Sequence, residues 1–470
     1  MAAEGPAIAI TGMSCRFAGC PSVAAFREAI VSKSCMLSPP GPEAEMPFGA
    51  KTVFGRPYPA RIGQLGGLYS CVPSMQRFPR QVNAGENQDL YFATQLAFDA
   101  LADAQMRPRG GAPAHGTVRI GYAPPFNAST VNWLQHTGFL DQTMEIIRRF
   151  MPNAPEESLD AVRAKLKESL PEPNASSFLL GTGYRFASWI ARECSFSGAA
   201  TTLDAGILSG AAAVMCAVED LRLGLADVAL AGAVEPPLSR AYLEGLSGEV
   251  AFSTGRTLEP FSRDPAGTIP GEGGAFFVLK RREDALKARD RIYALVRTVE
   301  IGHNPEDDPS AILAAALARC GAEPSSVGLI EADGSGIGAM EEREIAAVRR
   351  IWGEHRPGGA LVGIGSVKGN IGHTLRASMA AGLAKAALAL HGRVLLPQVA
   401  PERPAEALAN LTSSAYLLTE ARPWIVGDRR NPRRAAVAGC NFDPANPAAG
   451  ASRHGRCAAI CLEEEPEDAE

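Results

Sequence analysis

Three turns in the sequence carry side chains that could act in catalysis, and each turn follows a run typical of a β-strand. Their polar residues are Asp204 and Ser209 in the first turn, Asp333 and Ser335 in the second, and Lys368, Asn370 and His373 in the third. Functional sites of layered α/β proteins lie beyond the carboxyl ends of strands, so we expect these turns to converge. Together their side chains could perform acid–base or nucleophilic chemistry.

The first turn has the form of a platform for a nucleophile. The run "TTLDAGILSG" turns sharply at Asp204-Ala205-Gly206 and continues into a long apolar helix. Such a turn directs one side chain and the free N–H groups of the helix into a cavity, yet Gly206 has no side chain. Ser209 lies three residues further on, where its hydroxyl is expected to point elsewhere, and "GILSG" lacks the GxSxG spacing of a hydrolase.

Composition excludes several classes of function. The chain has 470 residues, of which 46% are hydrophobic and 21% charged, with a net charge of −5, so it can bury a large core. No basic stripe indicates a nucleic-acid partner, and no apolar run is long enough for a membrane span. The N-terminus lacks the basic-then-apolar layout of a signal peptide, so we predict a cytoplasmic protein. The ten cysteines show no spacing suited to zinc and are expected to be reduced and mostly buried; no other metal or cofactor site is predicted.

Short β-branched runs alternate with helical patterns along the chain, which is typical of layered α/β architecture. The segment from about residue 126 to 173 differs from this alternating pattern, because it is predicted to form helices on the surface. We interpret this segment as an insertion that serves as a lid or a subunit contact. Residues 463–470 are rich in acids and are predicted to form a disordered tail.

Two long motifs resemble the β-ketoacyl synthases of polyketide and fatty-acid synthesis, members of the thiolase-like superfamily. "EPFSRDPAGTIPGEGGAFFVLKRREDALKARDRIYALVR" and "GSVKGNIGHT" are similar to family motifs, within a match from about residue 8 to 462. The resemblance implies a duplicated five-layer αβαβα fold of class α/β. We therefore expect two ketosynthase-like halves, residues 1–250 and 251–462.

The resemblance also implies an active site with one cysteine and two histidines, which act on a thioester carried by the phosphopantetheine of an acyl carrier protein. The cysteine position falls on Gly206, so no acyl-enzyme can form there. The first histidine position, in "EADGSG", holds Asp333. The second histidine is retained as His373, with Lys368 also in its family place.

The retained and replaced residues allow more than one interpretation. Asp333 would be anionic in an exposed turn and would repel an enolate, and we favour a turn residue over a new general base. His373 alone is expected to hold its turn rather than act as an acid or base. Lys368 is expected to pair with a buried carboxylate, either Glu344, which is the favoured candidate, or Glu331.

The glycine-rich gating loop of the family, Phe-Gly-Phe-Gly-Gly-Thr-Asn-Ala-His, is altered as well. The corresponding stretch, "CNFDPANPAAGASRHG", keeps Phe442 and Asn446 but has Asp443 and Pro444 in place of glycines. Proline has no N–H and a fixed φ angle, so we expect that neither the gate nor its oxyanion N–H survives in the family form.

These losses predict a ketosynthase-like chain without independent catalytic activity. It resembles the chain length factor of type II polyketide synthases and the corresponding domain of polyunsaturated fatty acid synthases. The expected partners are an active ketosynthase, as a heterodimer, and an acyl carrier protein, and a homodimer of the isolated chain stays open. Two alternatives remain: a loading-type malonyl-carrier-protein decarboxylase, and an acyl transfer or hydrolysis enzyme that uses Asp333 and His373.

Overall fold

The fold was described from a computed structural model. It describes residues 5–42, 44, 51–68, 88–106, 114–123, 128–170, 172, 183, 185–303, 309–353, 361–409, 411, 414–426, 431–441 and 456–466. The site residues Phe442, Asp443 and Asn446 of the predicted gating loop lie outside these ranges.

Thirteen strands are present among the described residues. They are β1 Ile8–Phe17, β2 Gly116–Gly121, β3 Ala200–Leu203, β4 Val228–Glu235, β5 Gly273–Arg281, β6 Ala294–His303, β7 Val327–Glu331, β8 Val362–Gly365, β9 Val394–Leu395, β10 Ala415–Leu417, β11 Arg422–Pro423, β12 Arg434–Cys440 and β13 Arg456–Glu463.

The α-helices of the described residues alternate with these strands for most of the chain. They are α1 Val23–Val31, α2 Gln88–Asp103, α3 Ala128–Leu134, α4 Leu140–Phe150, α5 Glu156–Glu168, α6 Arg185–Glu193, α7 Ser209–Arg222, α8 Arg240–Leu246, α9 Arg282–Ala288, α10 Pro309–Arg319, α11 Gly338–Trp352, α12 Lys368–Ile371, α13 Ser378–Gly392 and α14 Glu406–Ala409. A single π-helical turn, Gln135–Phe139, joins α3 to α4.

The main sheet is duplicated. Its eleven strands follow the order β10-β8-β7-β12-β13-β6-β1-β5-β4-β2-β3. Outwards from the middle, one half of the sheet consists of β1, β5, β4, β2 and β3. Its first two strand pairs are antiparallel and its next two are parallel. The other half repeats this pattern in β6, β13, β12, β7 and β8. The predicted α/β class is therefore confirmed. The division at residue 250 stays a prediction, and β5 from beyond it lies between β1 and β4.

The two halves pack through helices α7 and α13, which follow the equivalent strands β3 and β8. Leu208, Val214 and Leu383 belong to the largest buried cluster, together with residues of β1, β4 and β12. The helices lie close together at Gly210, where an added Cβ would be only 3.1 Å from the backbone nitrogen of Ala380. The glycine at 210 thus permits close packing of the two helices, and the largest buried cluster includes residues of both halves.

Helices α4 and α5 form a hairpin with an uncovered apolar face. Leu140 and Met144 of α4 are buried. Phe139, Ile146 and Phe150 lie on an adjacent strip of the same helical surface, at spacings of seven and four residues, and are 51%, 54% and 84% exposed. We call these three residues the α4 stripe. That the hairpin is an insertion stays a prediction.

Two expectations from the sequence are wrong. Not all cysteines are free, because Cys440 and Cys457 lie opposite each other on β12 and β13 and form a disulfide. The tail does not begin at residue 463: Glu463 ends β13 and pairs with Arg434 at 2.8 Å, and Glu464 pairs with Arg433 at 2.6 Å. Burial of these ion pairs against strand ends orders residues that composition alone predicts to be disordered. Among the described residues, no helix is long and apolar enough to cross a membrane.

Candidate active site

The turn after β3 is built as the sequence predicts, and its hydroxyl is used internally. Gly206 has a φ of +62°, which glycine adopts without strain. The backbone N–H of Ala205 donates to Ser209 Oγ at 2.9 Å, and Ser209 Oγ donates to the Gly206 carbonyl at 2.7 Å. Ser209 is fully buried. Its hydroxyl fastens the turn to the first turn of α7 and is not directed into a substrate site.

The backbone N–H of Gly206, an anion-binding group in this kind of turn, already binds an anion. It donates to Asp204 Oδ1 at 3.1 Å, and the guanidinium Nε of Arg376 lies 3.7 Å from the same oxygen. A thioester oxyanion would have to displace this carboxylate. The Asp204 carboxylate therefore occupies the Gly206 N–H, a donor that the oxyanion of acyl transfer would need to find free.

Asn441, which directly follows β12, occupies the space beside Gly206. An added Cβ on Gly206 would lie 2.9 Å from Asn441 Oδ1, closer than real Cβ atoms come to their neighbours. Asn441 Nδ2 donates to the Ala205 carbonyl at 3.2 Å. Sequence reasoning missed this residue. The signal was present in "CNFDPAN", where the residue before Phe442 is asparagine and the ketosynthase loop has glycine.

The second and third turns meet in a buried cluster. Asp333 Oδ1 lies 2.9 Å from Lys368 Nζ and 3.6 Å from His373 Nε2, and all three side chains are at most 6% exposed. Burial would raise the pKa of Asp333, but the Lys368 ammonium and His373 outweigh it and hold this pKa at about 2. Asp333 is thus an ion-paired anion. The expectation that it lies in an exposed turn is wrong.

His373 is fixed at both its backbone and its ring. Its backbone N–H donates to the Ile269 carbonyl at 2.7 Å, and its carbonyl accepts from the Gly271 N–H at 2.8 Å. The ring Nδ1 accepts from the Leu375 N–H at 3.1 Å, which assigns the ring proton to Nε2, the nitrogen that faces Asp333. Burial lowers the pKa of His373, so the ring is neutral at pH 7.

Lys368 pairs with a buried carboxylate as predicted, but that carboxylate is Asp333, and the two predicted candidates, Glu344 and Glu331, are wrong. Glu344 instead accepts the backbone N–H groups of Asp333, at 2.7 Å, and Gly334, at 2.9 Å. Burial, together with the charge of Asp333, raises the pKa of Glu344 to about 8. Glu331 pairs with the fully buried Lys385 at 2.7 Å. The aspartate at position 333 supplies a nearer negative charge, so it takes the lysine.

Comparison with protein families identifies this scaffold. The family model described as "Beta-ketoacyl synthase, N-terminal domain" matches residues 6–285. The model described as "Beta-ketoacyl synthase, C-terminal domain" matches residues 298–401. The chain belongs to the β-ketoacyl synthase family.

Polyketide synthases are among the similar curated proteins. The chain is 34% identical over 268 residues to a mycocerosic acid synthase-like polyketide synthase of Mycobacterium tuberculosis, which is 55% of this chain and 12% of that protein. It is 30% identical over 275 residues to a spectinabilin polyketide synthase system protein of Streptomyces orinoci, 57% of this chain and 8% of that protein. The match thus spans about a tenth of the length of these relatives.

Solved ketosynthase structures share the fold over nearly the whole chain. The oxazolomycin ketosynthase domain of Streptomyces albus superposes with a TM-score of 0.76 at 22% identity, covering 99% of this chain and 75% of the other. A ketosynthase from module 6 of the bacillaene synthase of Bacillus subtilis gives a TM-score of 0.71 at 22% identity, covering 98% and 72%. The thiolase-like architecture expected from the sequence is therefore confirmed.

In this member of the β-ketoacyl synthase family, the end of β12 lies between the elbow and the buried cluster. An added Cβ on Gly439 would lie 3.8 Å from Asp333 Oδ1, and Asn441 two residues later lies over Gly206. The three turns therefore converge as the sequence predicts. The side chains brought together are an aspartate, a lysine and a neutral histidine, with an amide where the family has a thiol.

The chemistry open to this arrangement is limited. A thiol or hydroxyl nucleophile does not face the cluster from the described part of the elbow, since Gly206 has no side chain and Ser209 is occupied. Within the described ranges, no group of histidine, cysteine and carboxylate side chains is arranged to hold a metal ion. What the described residues show is a buried ionic cluster of Asp333 with Lys368, beside the neutral ring of His373.

Proposed function

We propose that this chain is a non-catalytic ketosynthase-like subunit, a chain length factor. It associates with an active ketosynthase and helps shape the tunnel for the growing acyl chain in polyketide or long-chain fatty acid synthesis. The thioester is carried on the phosphopantetheine of an acyl carrier protein, and the partner supplies the cysteine.

The observation that carries this proposal is the closed elbow at Gly206. Covalent condensation needs a nucleophile, a free oxyanion donor and a group that stabilises the enolate. Here the nucleophile is absent, the Gly206 N–H is bound by Asp204, and Asp333 brings a negative charge to the place of a histidine. Meanwhile the core around α7 and α13 is intact. Loss of the nucleophile, of the free donor and of one histidine on a preserved scaffold, with only His373 and Lys368 retained, supports a role in shape and assembly.

Two surfaces support association with a partner subunit. Strand β3 lies at one end of the sheet and pairs only with β2 among the described strands, so its outer edge is open to another strand. The α4 stripe exposes two phenylalanines and an isoleucine, and such patches mark protein contacts. Charges beside the stripe pair within the hairpin, as with Arg149 and Glu145 at 2.5 Å. This neutral setting favours a protein over an anionic lipid surface.

The alternatives receive no support from the site geometry. A loading-type decarboxylase must stabilise an enolate, and the anionic Asp333 opposes that charge. A hydrolase or acyl transferase would need Asp333 and His373 to act together in acid–base catalysis. However, both are buried, Asp333 is held by Lys368, and the neutral ring directs its Nε2 proton at Asp333.

We expect the isolated chain to remain unacylated and to release no CO2 when it is incubated with acyl- and malonyl-carrier protein. Intact-mass measurement and CO2 trapping would show this, with an active ketosynthase as the positive control. Co-expression with a cysteine-bearing ketosynthase from the same gene neighbourhood should yield a stable heterodimer. Acylation or CO2 release by the isolated chain would refute the proposed function.

Charge placed on the α4 stripe should weaken the heterodimer. Apolar residues at the centre of an interface contribute strongly, so Ile146→Glu with Phe150→Glu is expected to weaken association by about tenfold or more. Leu225→Glu is the matched control, because Leu225 is similarly exposed, at 56%, on the turn after α7. The affinity would be measured by surface plasmon resonance, with the ketosynthase partner immobilised and each variant of this chain titrated over it. Equal losses in both variants would show that the stripe is not a specific contact.

A further inference from the structure

The elbow at Gly206 retains its backbone although it lacks a nucleophile. The turn keeps a positive φ, Ser209 ties it to α7, and Leu208 beneath it is fully buried. A collapsed turn would have lost these contacts. Besides the missing side chain at residue 206, a second side chain fills the space over this turn.

Asn441 is that side chain, and it is held from three directions. Its amide Nδ2 donates to the Ala205 carbonyl at 3.2 Å, and its backbone N–H donates to the Arg456 carbonyl at 3.0 Å. The residue before it, Cys440, is bonded to Cys457 across the hairpin. The amide oxygen then lies 2.9 Å from the point where a Cβ on residue 206 would be. No side chain at 206 can enter until Asn441 yields.

We propose that Asn441 closes an otherwise preserved nucleophile position, and that a reactive thiol site appears only when residues 206 and 441 are changed together. This inference deepens the proposed function and rests on it, since it explains how the elbow is kept inactive. The glycine at 206 and the asparagine at 441 form a matched pair in which the larger side chain fills the space left by the smaller. A cysteine introduced at residue 206 alone contacts the Asn441 amide. When Asn441 is also replaced by glycine, that contact is absent.

The test compares Gly206→Cys, Asn441→Gly and the double variant with the unchanged protein, using iodoacetamide as the probe. The introduced thiolate attacks the methylene carbon of the probe, so that an S–C bond forms, the C–I bond breaks, iodide leaves and the thiol proton passes to the buffer. Peptide mapping reads the alkylation rate at position 206. Cys35 is an exposed free cysteine and serves as the internal reference in every sample.

We expect the double variant to be alkylated at position 206 at least about tenfold faster than Gly206→Cys alone, after scaling to Cys35. Equal rates in the two variants would overturn the inference. An unreactive thiol in a folded double variant would also overturn it. A merely structural role for Asn441 would not change thiol reactivity at residue 206.

Thermal unfolding keeps the test decisive if Gly206→Cys folds poorly. The close contact predicts that Gly206→Cys lowers the melting temperature more when Asn441 is present than in the Asn441→Gly background. Equal shifts, or failure of both cysteine variants to fold, would refute the inference. These outcomes are separate from the proposed function, which is refuted by acylation or CO2 release from the unchanged chain.

Discussion

Replacing Lys368 with methionine should lower the free energy of unfolding by about 3–5 kcal/mol, the usual loss when one partner of a buried ion pair is removed. Lys368 and Asp333 are 6% and 2% exposed, and their charged atoms lie 2.9 Å apart. Without the ammonium, the Asp333 carboxylate must either remain charged without its partner or take up a proton. Urea denaturation, followed by fluorescence or circular dichroism, measures the loss.

Two control variants separate this pair from a general effect of losing lysine. Adding Asp333→Asn to Lys368→Met should restore at least half of the lost stability, because the uncompensated charge is then gone. Lys33→Met removes a pair with Glu420 whose side chains are 35% and 65% exposed, and should cost about 1 kcal/mol or less. A loss for Lys368→Met no larger than for Lys33→Met would contradict the assigned pair.

The contribution of Glu344 to stability should fall by on the order of 3 kcal/mol as the pH rises from 5.5 to 8.5. In the folded protein, burial and the charge of Asp333 raise the pKa of Glu344 to about 8, whereas the usual value is 4.5. The unfolded chain releases this proton first. The stabilising contribution is therefore complete below about pH 4.5 and is lost as the pH rises through 8.

The Glu344→Gln variant isolates this effect because glutamine does not titrate. The unchanged protein and the variant should differ in the slope of unfolding free energy against pH, whatever their absolute stabilities. Glu341, whose pKa burial raises to about 7, adds a slope that both proteins share. Asp333, with its pKa near 2, contributes no slope in this interval. Parallel pH profiles for the two proteins would exclude Glu344 as a buried neutral acid.

The elements that position the site were predictable because their patterns are local. The apolar run of β4 and the long helix after Gly206 carry their own periodicity, and motifs such as "GSVKGNIGHT" fix the turn that holds His373. Convergence of the turns follows from strand direction. The glycine at the cysteine position was predicted from the family resemblance, because the turn alone is equally typical of an ordinary tight turn.

The contacts that decide the chemistry were not predictable, because they join residues distant in sequence. Asp333 meets Lys368 across 35 residues, and Asn441 meets Ala205 across 236. A turn aspartate is exposed by default, and its burial here comes with its contacts to Lys368 and His373 and with the approach of Gly439 on β12. The Cys440–Cys457 bond likewise requires the register of β12 against β13, which spacing does not give.

The position of Asn441 along the chain has a consequence for how the protein is made. Synthesis runs from the amino terminus, so the ribosome completes the elbow long before it reaches Asn441, 236 residues beyond Ala205. Strands β12 and β13 follow every other strand of the sheet in sequence. The nascent chain therefore carries an uncovered elbow, and the cover arrives only with the hairpin that completes the second half of the sheet.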